Sequence, residues 1–250
     1  MACKRNAAIM QSALFGLAIA MMLGVAAAKD FQKNYTLPPG GQIIIQNTLG
    51  DIKIKGYDGN EIEALAKKTG ADSDLVEIDD SSFGNRIDIR IRPAQYRPMD
   101  ASVEFEIRVP RSVEYNFARL SSFSGKVEVS DIMGRLRAES VRGNVELSDV
   151  RGLVIASSFS GNVKVEIGKS QDRNNMRFSS ISGNIDITAP SDLSALIEMT
   201  SDSGMLKTDF PLEIQESRYG PGRSARGRLG TGKQIIHIRS NTGRVSLSQK

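Results

Sequence analysis

The chain has one cysteine, one histidine and no tryptophan in 250 residues, and each scarcity closes off a class of function. Cys3 precedes a long apolar stretch, so the part beyond that stretch has no thiol for a disulfide, a thiolate metal site or a cysteine nucleophile. His237 lies in the run QIIHIRS, where alternation points it outward between Ile236 and Ile238. Ser-His-Asp and Cys-His catalysis would both rest on this one residue, and no serine has a G-x-S-x-G context. No zinc spacing and no P-loop is present, so no cofactor is expected. Aromatic residues are 6% of the chain, which predicts an aliphatic core and few platforms for stacking sugars.

The first 28 residues read as an export signal. Lys4 and Arg5 precede an apolar stretch from Ala7, and Ala26-Ala27-Ala28 offers a small-residue cleavage site. The alternative is an uncleaved membrane anchor, since the stretch is long enough to span. Export predicts a periplasmic, cell-surface or secreted protein. Loss of residues 1–28 leaves 31 Lys and Arg against 29 Asp and Glu, a balance that does not favour nucleic acid as a partner.

What is abundant is glycine at a fixed interval. Gly125, Gly134, Gly143, Gly152 and Gly161 stand nine residues apart, each followed by alternating apolar and polar residues. Alternate glycines carry matching flanks, SSFSGKVEV, ESVRGNVEL and SSFSGNVKV, continued at Gly183, Gly204 and Gly243. The residue three before each of these six glycines is serine: Ser122, Ser140, Ser158, Ser180, Ser201 and Ser240. A period of 18 to 22 residues with two strands and two corners predicts an all-β, stacked β-solenoid over residues 121–250. Stacked coils reward identity at equivalent positions with hydrogen-bonded ladders; the alternative fold, an antiparallel β-sandwich, does not. Residues 29–120 alternate in short runs such as QIIIQN, DIKIK and NRIDIRIR, and are read as a β-strand region that continues or caps the solenoid.

The S-x-S-G-x-V-x-V repeats, the segment FEIRVPRS (Phe105 to Ser112) and the opening PPGGQIIIQNTLGDIKIKGYDG (Pro38 to Gly59) together resemble the bacterial "putative adhesin" family of unknown function with β-strand repeats. The resemblance covers essentially the whole chain after the export segment. It implies an exported, repetitive all-β protein of the cell envelope, and its motifs are structural, so no catalytic residue carries over.

Two polar clusters stand out. Glu128, Glu146, Glu166 and Asp186 fall at or near one outward register, a pattern a polysaccharide-active enzyme on a β-helix would use; interspersed Lys126 and Lys164 make it read as an ordinary solvated face. Asp72, Asp74, Asp79 and Asp80 crowd one short strand, without the spacing of a calcium loop. The Ser-Gly corner keeps its length, whereas the opposite corner grows from Asp131–Gly134 to residues 168–175 and then to residues 211–233. Insertions confined to one edge of a solenoid mark a binding side. Arg218, Tyr219, Arg223, Arg226, Arg228 and Lys233, with Lys169 and Arg173, are therefore the candidate contact residues. The expected partner is an anionic glycan, a wall polymer or a lipid headgroup. The expected role is non-catalytic binding or scaffolding, with envelope-stress sensing through a protein partner as a further alternative.

Overall fold

The computed structural model describes residues 31–93, 99–168 and 174–250; the export segment, Lys169 and Arg173 lie outside them. Apart from one 3-10 turn at Ser73–Leu75, the regular elements of the described residues are all strands. The first eight are β1 (Phe31–Tyr35), β2 (Gln42–Asn47), β3 (Ile52–Tyr57), β4 (Ile62–Thr69), β5 (Val76–Asp80), β6 (Arg86–Pro93), β7 (Ser102–Pro110) and β8 (Glu114–Ser122). The repeat supplies β9 (Val127–Ser140), β10 (Val145–Arg151), β11 (Val154–Ser158), β12 (Val163–Ile167), β13 (Met176–Ser180) and β14 (Ile185–Ala189). The last six are β15 (Ala195–Ser201), β16 (Leu206–Thr208), β17 (Ile214–Glu216), β18 (Arg223–Arg228), β19 (Gln234–Ser240) and β20 (Val245–Gln249).

Equivalent strands of successive coils pair in parallel and in register, Val145 with Val127 and Val163, and Ser158 with Ser140 and Ser180. That pairing makes the chain a solenoid and not a sandwich. Each coil contributes one strand to a first sheet, turns at the Ser-Gly corner, and contributes the next strand to a second sheet. Val127, Val129, Leu136, Ala138, Val145, Leu147, Val154, Ala156, Val163 and Val165 all point between the sheets and are buried. The apolar interior is continuous from Tyr35 to Leu247. The described residues before 121 therefore share one core with the repeat, and the boundary expected at 120/121 falls inside β8.

The order of the coils departs from the order of the chain at both ends. The first sheet runs β6, β2, β8, the second half of β9, β11, β13, β19, β15. The second runs β7, β3, the first half of β9, β10, β12, β14, β20, β16. Thus the β2–β3 coil is inserted inside the β6–β7 coil, and the β19–β20 coil inside the β15–β16 coil. Antiparallel strands close the stack: β4 and β1 beyond β7, β5 beyond β6, and the β17–β18 hairpin beyond β15. Such caps cover strand edges that would otherwise invite a further chain.

The two corners need glycine for different reasons. At the Ser-Gly corner a Cβ on Gly143 would stand 2.0 Å from the carbonyl oxygen of Gly125, and the same clash recurs from Gly125 to Gly243. At the opposite corner Gly134 and Gly152 have φ of 124° and 113°, a conformation that glycine reaches without strain.

Candidate functional site

The Ser-Gly corners form a hydrogen-bonded column. Ser158 Oγ donates to the Gly143 carbonyl at 2.9 Å and accepts from the Gly161 amide at 2.8 Å. Ser122, Ser140, Ser180, Ser240 and Ser201 repeat both bonds. Beside it the Asn144 carboxamide oxygen accepts from the Asn162 amide, that of Asn162 from the Asn184 amide, and that of Asn184 from the Arg244 amide. The residue that follows the column serine is consequently pushed outward. Phe123, Val141, Phe159 and Ile181 follow one another along this edge, 38–56% exposed.

Val141, Phe159 and Ile181 of this row wall a cavity of about 390 Å³ on the first sheet. Its floor is the next outward row, Ser121, Glu139, Ser157, Ser179 and Arg239, one residue per coil. A second cavity, about 360 Å³, shares Ser179 and Arg239 and continues to Arg177, His237, Glu198 and Thr200. The two form one furrow. His237 Nδ1 stands 2.8 Å from Glu198, whose other oxygen holds Arg226 at 3.2 Å. Arg239 pairs with Asp202 at 3.1 Å and Arg137 with Glu139 at 2.7 Å. Arg177 has no ion pair among the described residues.

The residues expected to form one loop site are divided by the fold. The segment 211–233 crosses the full width of the first sheet as β17 and β18, so its two turns lie at opposite edges. Arg218 and Tyr219 sit at the Ser-Gly edge, exposed, with the guanidinium 5.9 Å from the ring centre. Arg223 donates to Glu216 and to the Gly204 carbonyl, which ties the hairpin to that corner. Arg226 and Arg228 face outward on β18, and Lys233 lies at the other edge, where Ser194 meets Thr231. Contact residues gathered on one edge are thus replaced by two groups a sheet-width apart. The cause is strand formation in a segment whose glycines suggest a loop.

The carboxylate stripe also resolves differently. Glu128, Glu146, Lys164 and Asp186 do share one outward row, but Glu166 lies in the next row with Ser148 and Thr188 and bonds Lys250. Lys126 bridges Glu128 at 2.9 Å and Glu146 at 2.8 Å. Its ammonium hydrogen-bonds Glu128 and holds that carboxyl below its usual range, whereas a general acid needs the opposite shift. Asp79 and Asp80 are engaged by Arg92 and by Lys33 and Tyr35, and Asp72 accepts from the Asp100 amide. These aspartates clasp the cap strands together. Among the described residues no group of His, Cys, Asp and Glu is placed to hold a metal.

The missed feature is the apolar row. Its signal was present: an apolar residue directly after the corner serine in four coils, Phe or Ile between two serines in three and Val before Arg142 in the other.

A two-faced parallel β-solenoid with inserted end coils and antiparallel caps is the class of molecule that this geometry defines. The chain belongs to the Toastrack DUF4097 family, whose pattern matches residues 36–248. No curated protein matches it. Among solved structures it is similar to a protein of Clostridium sporogenes described as a "putative cell adhesion protein", at 12% identity and a TM-score of 0.47, covering 89% of this chain and 100% of that one. It is similar also to a "putative adhesin" of Bacteroides fragilis, at 13% identity and a TM-score of 0.42, covering 89% and 97%.

Proposed function

We propose that this protein is a non-catalytic binding module of the bacterial cell envelope, exported by its N-terminal segment, and that it holds an extended ligand along the Ser-Gly edge. The observation that carries this reading is the row Phe123, Val141, Phe159 and Ile181. Large apolar side chains stand exposed in four successive coils on the edge whose backbone is locked most tightly. An exposed apolar patch on a rigid support lowers the entropy that a ligand loses on docking, and such patches mark contact sites. A non-catalytic role agrees with the charge-paired, solvent-facing state of Glu128 and Glu146 and with the setting of His237 between Glu198 and Arg177.

The test is co-sedimentation of the purified chain, residues 29–250, with isolated envelope polymer. Joint replacement of Phe123, Phe159 and Ile181 by serine should abolish retention, while Arg228→Gln with Lys233→Gln, on the opposite edge, should leave it intact. Equal retention of all three proteins, or loss only in the Arg228/Lys233 variant, would overturn the Ser-Gly edge as the contact site.

A further inference from the structure

The furrow on the first sheet changes chemistry along its length. At one side stand the hydrocarbon surfaces of Val141, Phe159 and Ile181, stepping by one coil, ~4.8 Å each. Beneath them Ser157 and Ser179 present hydroxyls that have no hydrogen-bond partner among the described residues, unlike the buried Ser158 and Ser180 next to them. Toward the C-terminal coils the floor becomes charged: Arg239 is held by Asp202 and His237 by Glu198, which leaves Arg177 as the cation of this floor without an ion pair among the described residues. Arg177 lies beside His237 in one row and two residues from Ser179, with Arg239 and Thr200 lining the same cavity.

Resting on the reading of this edge as a contact site, we infer that the furrow binds a linear glycan carrying an acidic substituent, with one sugar per coil and its carboxylate or phosphate on Arg177. Sugar rings have C–H faces that pack on apolar and aromatic side chains, and equatorial hydroxyls that exchange hydrogen bonds with a serine row. The advance per sugar in an extended glycan is close to the coil step, so an in-register ladder meets each ring alike. Arg177 supplies a planar donor fork to an anion without first breaking an ion pair among the described residues. An extended peptide fits less well. Every strand under the furrow is already paired on both sides, so no free backbone N–H or C=O is offered for strand addition.

The experiment is calorimetric titration of residues 29–250 with four probes: a hyaluronan octasaccharide, its carboxyl-reduced neutral counterpart, a phosphodiester-linked hexose oligomer of similar length, and an aspartate-rich octapeptide. At least one of the two acidic glycans should bind, and whichever binds identifies carboxylate or phosphate as the source. Phe159→Ala and Arg177→Gln should each weaken that binding about tenfold; both side chains are solvent-facing, so folding is unaffected. If the hyaluronan oligomer is the ligand, the neutral counterpart should bind about tenfold more weakly and be indifferent to Arg177→Gln. Binding of neither acidic glycan, equal binding by Arg177→Gln and the native protein, or tight peptide binding with the same dependence on Phe159 overturns the inference. If envelope-polymer retention still depends on Phe123, Phe159 and Ile181 in that case, the edge remains the contact site and only the ligand class falls.

Discussion

Ser158 makes two hydrogen bonds inside a corner where water has no room to substitute, one to the coil below and one to its own Gly161. Replacing it by alanine strands a carbonyl and an amide, at a cost of about 2 kcal/mol. Gly143→Ala forces a Cβ to 2.0 Å from a backbone oxygen, and two packed coils cannot separate at one point, so about 3 kcal/mol is expected. Phe159→Ala, one residue from Ser158 and 56% exposed, should change stability by less than about 0.5 kcal/mol. Urea denaturation of the three variants checks the ranking; a Phe159→Ala loss as large as that of Ser158→Ala would show that the exposed row is part of the scaffold. These residues also show what could be read in advance. The serine and glycine positions were legible because a ladder repeats the same residue in six coils, from Ser122 to Ser240. Phe159 was not, because alternation reports which strand positions are inward and says nothing of a corner residue's exposure.

Strands at the N-terminal end add buried charge pairing to the hydrocarbon core that they share with the middle. In β6 the buried Asp88 accepts from Arg90 at 2.8 Å and 3.0 Å and from Arg86, and its amide is bonded by Ser82 from the turn that leads out of cap strand β5. The hydrogen bonds from Arg90, then from Arg86, hold its carboxyl below the ordinary value. A depressed folded-state pKa contributes stability above the unfolded value, about 3.9, and loses it as pH falls through the folded value. The melting temperature of the native protein should therefore exceed that of Asp88→Asn at neutral pH, and the gap should close below about pH 4. Melts across an acid titration test this, and a gap that stays constant contradicts it. Element type was readable in the N-terminal strands, including β4 at Ile62–Thr69, where Ala64 and Ala66 give a helix-like composition to a strand. The β17–β18 hairpin was not, because glycines and arginines hide a strand whose inward contact is the single Ala225.

At the scale of the molecule, the coils stack in an order that no local pattern announces. The β19–β20 repeat, RSNTGRVSL, looks like any other, yet it lies between β14 and β16 on one sheet and between β13 and β15 on the other. Pairing of this kind is set by which surfaces remain open after the rest has folded, and so by the whole chain. In a simple repeat array, cutting the terminal repeat leaves a shorter and still cooperative protein. Here removal of residues 234–250 deletes an interior layer and leaves the β15–β16 coil and its hairpin cap with nothing to stack on. The truncated chain should lose its cooperative transition in circular dichroism melts; a single sharp transition at a modestly lower temperature would refute this.

The same insertion sets a clock. A ribosome delivers β15 and β16 before the strands on which they must rest, since β19 and β20 arrive only with residues 234–250. A nascent chain can build its middle coils as they emerge but cannot close the β15–β16 end until residues 234–250 have followed. If the chain is exported as proposed above, an end left open in this way keeps it threadable until β19 and β20 arrive.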